Sequence, residues 1–120
     1  MINIVVGGQM DKQNVAKLIE KYGEGKVDVS IKSDIEAALD VKNGNAQYYF
    51  GSCATGAGGA LAMAIGIVGA QKCASVSFPG KILDDDEIRQ VIKDGKVAFG
   101  FVNTDAERVI PILMEEILKK

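Results

Sequence analysis

The chain has 120 residues, 48% hydrophobic and 25% charged, with a formal net charge of −2. That is enough for one domain over 1–120 with a single core, and too little for two. A weakly acidic balance without a basic cluster excludes nucleic acid or an anionic membrane surface as the main partner. The absence of histidine removes the commonest general base and metal ligand, so neither a metal site nor a cofactor is expected. Two cysteines, Cys53 and Cys73, behind an N-terminus unlike a signal peptide suit a reducing cytoplasm.

In chain order, Ile2-Asn3-Ile4-Val5-Val6 is a β-branched strand that ends at Gly7-Gly8. Asp11 is placed to cap a helix carrying Val15, Leu18 and Ile19 on one face, and Gly23 and Gly25 stop it. Lys26 to Ile31 alternates as a second strand. Ser33 or Asp34 then caps a helix from Ile35 to Lys42, which Asn43-Gly44-Asn45 ends. Ala46 to Gly51 reads as the third strand, followed by a glycine-rich turn and a helix of small residues. Ala74 to Phe78 is a short fourth strand closed by Pro79-Gly80. Asp84-Asp85-Asp86-Glu87 opens the next helix, where carboxylates complement the helix dipole. Lys96 to Val102 is the fifth strand. Thr104 or Asp105 caps a last helix with Pro111 inside it, where a kink is expected.

The uncharged stretch from Tyr48 to Gln71 holds 16 residues from Thr55 to Ala70 that are mostly Ala and Gly. A membrane span needs about 20 strongly apolar residues, so a buried helix is the reading and no membrane insertion is expected. Strands alternating with helices imply a three-layer αβα sandwich around a five-stranded parallel sheet, flavodoxin- or Rossmann-like, in the order 2-1-3-4-5.

In such a sheet ligands bind beyond the carboxyl ends of the strands, where the strand order reverses. The loops meeting there carry Gly7, Gly8 and Gln9 after the first strand, and Ser52, Cys53, Thr55, Gly56, Gly58 and Gly59 after the third. Glycines let a ligand oxygen approach the main chain, and the N–H groups of a helix N-terminus suit an anion. A cysteine beside such an end favours thiolate, which makes Cys53 the candidate base or nucleophile. Packing of the helix close to the sheet is the competing explanation of the glycines.

The helix from Gly56 to Ala70 is small or apolar on every side, so a second chain is expected to cover what one sheet face leaves open. A homo-oligomer through this helix follows. Cys73 reads as a small packed hydrophobe. Arg89 and Arg108, the only arginines, read as salt-bridge partners, and the Tyr48-Tyr49-Phe50 run reads as strand packing.

These residues also carry resemblances. Over most of its length the chain resembles the uncharacterised bacterial YhfU-like family, in its tyrosine-rich strand, in Cys53 to Gly58, and in Gly95-Lys96-Val97-Ala98-Phe99-Gly100. That resemblance implies relatives and a fold, no established activity, and a hint of carbohydrate or small-metabolite metabolism. Locally, Cys53-Ala54-Thr55-Gly56-Ala57-Gly58 resembles the Cys-Gly-Thr-Gly-x-Gly turn of the ribose-5-phosphate isomerase B and galactose-6-phosphate isomerase family. The resemblance implies Cys53 as the base that removes a proton next to a sugar carbonyl. It implies Thr55, Gly56 and Gly58 as the lining of the anion hole. The Asp-His pair of that family's first loop is replaced here by Gly8-Gln9-Met10, and its ring-opening histidine has no counterpart. Sugar phosphotransferase IIB components of the galactitol type resemble the turn too, although there the cysteine follows the first strand.

Together these readings point to a small anionic metabolite, phosphorylated or carboxylated, bound at the Cys53–Gly59 turn, with divergent sugar-phosphate isomerase-like chemistry on it. The alternatives are a non-catalytic oligomeric partner of a transporter or enzyme, and a phosphocarrier through Cys53.

Overall fold

The structure is a computed structural model that describes residues 1–54 and 58–120. Five parallel strands make its main sheet: β1 (Ile2–Gly8), β2 (Val27–Ile31), β3 (Tyr48–Cys53), β4 (Cys73–Ser75) and β7 (Ala98–Val102). Between β4 and β7, β5 (Ser77–Phe78) and β6 (Lys81–Ile82) form a two-stranded antiparallel ribbon. The expected strand from Ala74 to Phe78 is thus two short pieces broken at Val76. The helices are α1 (Lys12–Tyr22), α2 (Asp34–Lys42), α3 (Gly58–Val68), α4 (Asp85–Lys93) and α5 (Ala106–Lys119).

The α/β class and the five-stranded parallel sheet are as read from the sequence, but the strand order is β2-β1-β3-β7-β4. The last two strands have changed places against the expected 2-1-3-4-5. Burial gives the reason. Ala98–Val102 is an uncharged run buried at all five residues, which demands cover on both faces and an interior position. Cys73–Ser75 is three half-buried residues, short enough to serve as an edge.

The exchange moves a helix. With right-handed crossovers, a return from the edge strand β4 to the interior β7 puts α4 on the same face as α1 and α5. That face holds the larger core, in which Ile4, Val6, Phe50, Phe99 and Phe101 of the sheet meet Val15, Ile19, Ile88, Ile92, Val109 and Leu113. Phe50 packs edge-on to Phe99 with ring centroids 5.5 Å apart. The opposite face carries only α2 and α3, over a smaller core of Val5, Ala37, Ala38, Tyr49, Leu61, Ala64 and Ala98.

Local signals explain the helix starts. Ser33 and Asp84 each cap their helix through the backbone N–H three residues on, in capping boxes closed by Glu36 and Glu87. Asp11 does not cap α1. It sits in the left-handed region at φ 57°, and its carboxylate accepts from the Asn14 side-chain amide at 3.2 Å instead of from a backbone N–H of the first turn. Asp105 precedes α5 without a capping bond, and α5 runs on through Pro111 to Lys119. Arg89 reaches Asp86, Glu115 and Glu116, and Arg108 pairs with Asp85, so both arginines serve ion pairs.

Candidate ligand site at the carboxyl end of the sheet

In parallel register, Gly7 of β1 stands beside Gly51 of β3, and Gly51 beside Gly100 of β7. Alternation aims this glycine row, with Tyr49 and Cys53, at the α2–α3 face. The row is floor space for Tyr49. A methyl group on Gly7 would stand 2.6 Å from the Tyr49 ring, and one on Gly51 would stand 2.9 Å from the same ring. The Gly51 methyl would also stand 2.8 Å from the Ala60 carbonyl oxygen, because the first turns of α3 lie directly on the strand.

The Tyr49 hydroxyl joins three elements. It accepts from the Gly8 N–H at 3.1 Å and donates to the Ala60 carbonyl at 2.7 Å, with the residue fully buried. Burial first, and then the negative charge of Asp34, push its pKa well above the ordinary 10.0. Asp34 Oδ1 is itself buried, with no hydrogen-bond partner among the described residues.

Ser52 is equally committed. Its carbonyl accepts from the N–H groups of Gln9 and Met10 at 2.9 and 3.2 Å, and its buried hydroxyl donates to the Met10 carbonyl at 2.5 Å. Gly8, at φ 82°, lies so close that a methyl there would meet the Ser52 backbone N at 2.6 Å. Gly7, Gly8 and Ser52, all expected at the ligand, also hold the two loops against each other. Gln9 does approach α3: a Cβ on Gly59 would stand 2.6 Å from its side-chain oxygen.

Cys53 belongs to β3, paired with Val102, rather than to the turn, and is 2% exposed. Cys73 sits half-buried on the same sheet face, its thiol donating to the Gly69 carbonyl at 3.3 Å. Burial raises its pKa above 9.0 against the opposing charge of Lys96. The expected roles of Thr55 and Gly56 lie outside the described residues, and Gly58 is the first residue of α3. The structure thus brings Gln9, Cys53, Gly58 and Gly59 to one end of the sheet.

Sequence reasoning missed Tyr49 as the tie between the loops. A tyrosine two residues before a strand glycine was its signal. It also missed an open cleft of about 330 Å³ beside Gly8, lined by Lys12, Ser33, Asp34, Ile35 and Met63. Among the described residues, no helix is long and apolar enough to cross a membrane.

A family model described as "Protein of unknown function DUF2620" matches residues 2–117. Proteins called "Uncharacterized protein YhfU" from Escherichia coli strain K12 and from Shigella flexneri are each 39% identical over 117 residues. The match covers 98% of this chain and 99% of each relative. No solved structure gives a significant match.

Proposed function

The chain belongs to the DUF2620 family, whose function is unknown, and from that premise we propose that it is a cytoplasmic protein that binds a small phosphorylated or carboxylated metabolite at the Cys53–Gly59 turn. One observation carries the reading. The Gln9 carboxamide lies against Gly59 in the first turn of α3, an 11-residue helix with no charged residue. That contact gathers a side-chain amide, a bare stretch of main chain and the positive end of a helix dipole at one spot, a combination suited to an anion. The spot lies beyond the carboxyl ends of β1 and β3, where the connections leave toward opposite faces.

Gln9, Thr55, Gly56, Gly58 and Gly59 make the cradle in this reading, and Cys53 is the group beside it suited to removing a proton from a sugar phosphate. Copies of the chain associate through α3. Burial of Cys53 favours binding, with isomerase-like proton transfer as a second step that needs the thiol uncovered. The test is calorimetric titration with inorganic phosphate and with a pentose phosphate. Wild type gives saturable binding, and Gly59→Val, which displaces the Gln9 carboxamide, weakens it at least 10-fold with an unchanged circular dichroism spectrum. Equal affinity in wild type and variant refutes the proposal.

A further inference from the structure

The exposed side of α3 has a shape that complements itself. Ala62 and Gly66, one turn apart, form its middle, and Met63 and Ile65 stand on its two flanks at 43% and 42% exposure. The neighbouring α2 adds Ile35 and Leu39, also one turn apart, at 51% and 40% exposure. Ile35 and Met63 meet at the cleft beside Gly8. Elsewhere α2 and α3 pack against the sheet, and this face has two helices where the opposite face has three.

We infer that a second copy of this chain covers the α2–α3 face in an isologous two-fold pair, Met63 and Ile65 of each copy seated over the Ala62–Gly66 strip of the other. The inference rests on the association proposed above and gives it a geometry. Three observations choose the second copy as occupant. Knob and hollow lie on one element, which is what a self-complementary two-fold contact requires. The strip carries no charge, so two copies of an acidic chain meet there without repulsion.

The area also suffices. The four large side chains expose on the order of 300 Å² of apolar surface, within the range at which a patch on a monomer is commonly functional. Ala62 and Gly66, both exposed, raise it toward the roughly 450 Å² of apolar surface that each side of a standard interface contributes. The pairing also walls the cleft at Ile35 and Met63, which one copy leaves open.

Gly66→Leu tests this cleanly. Among the described residues, nothing beyond its own helix turn lies within 4 Å of a methyl placed there, so the monomer accepts the side chain while the strip is filled. Sedimentation equilibrium of the full chain from 5 to 200 µM is expected to give the mass of two 12.7 kDa chains for wild type. Gly66→Leu and Met63→Glu each raise the dissociation constant at least 100-fold without loss of helical signal. A wild type that self-associates equally well with Gly66→Leu and Met63→Glu overturns the geometry and leaves association standing. A wild type of single-chain mass throughout overturns both, and neither result bears on phosphate binding at the turn.

Discussion

Tyr49→Phe isolates one oxygen atom at the centre of the framework. The phenyl ring still fills the space over Gly7 and Gly51, so no cavity opens, and only two hydrogen bonds are lost. Each contributes about 1 kcal/mol net, and the buried Gly8 N–H loses this acceptor, which adds a desolvation cost. The expected loss is about 2–3 kcal/mol by urea unfolding with an unchanged slope, or a fall of roughly 10 °C in Tm. The alkaline limb gives a second readout. Tyr49 ionises in the unfolded chain near 10 but only at higher pH in the folded one, so above pH 10 the unfolded state binds fewer protons and stability falls. The slope from this group is about 1.4 kcal/mol per pH unit, and the variant lacks that contribution. A loss under about 0.5 kcal/mol, or an identical alkaline limb, would refute the assigned role of the hydroxyl.

The remaining expectations follow from single contacts. Gly51→Ala drives a methyl into the Ala60 carbonyl oxygen, a backbone atom that cannot swing aside, and is expected to cost about 2–3 kcal/mol in urea unfolding. Ser33→Ala and Asp84→Ala each remove a capping box and cost about 1 kcal/mol; lying on helices at opposite faces, they add in the double variant. Iodoacetamide at pH 8 is expected to label the half-buried Cys73 ahead of Cys53, read by peptide mass spectrometry, with the Cys73 rate still climbing above pH 9. Faster labelling at Cys53 would contradict its burial at the end of β3.

Much of this architecture is written locally. Alternating apolar strands announce a parallel sheet, and Ser33-x-x-Glu36 and Asp84-x-x-Glu87 mark two helix starts that the structure reproduces as capping boxes. The order of the last two strands is a tertiary property. It depends on which strand is buried on both faces, and the run Ala98–Val102 carried that signal against the shorter Cys73–Ser75. Asp11 shows the limit of a capping rule, since its backbone is left-handed and its carboxylate takes the Asn14 side-chain amide in place of a helix N–H. Around the turn, Gly7, readable as room for a ligand, and its neighbour Gly51 also make room for the Tyr49 ring. That second role depends on cross-strand register, which no local pattern contains.

The central claim is that an anion occupies the spot where Gln9 meets the start of α3. A two-dimensional amide NMR titration with inorganic phosphate tests it most directly. Saturable shifts concentrated at Gln9, Cys53, Gly58 and Gly59, and abolished in Gly59→Val, are the predicted result. Shifts that fail to saturate, or that gather on lysine-rich surface away from those residues, would contradict the account.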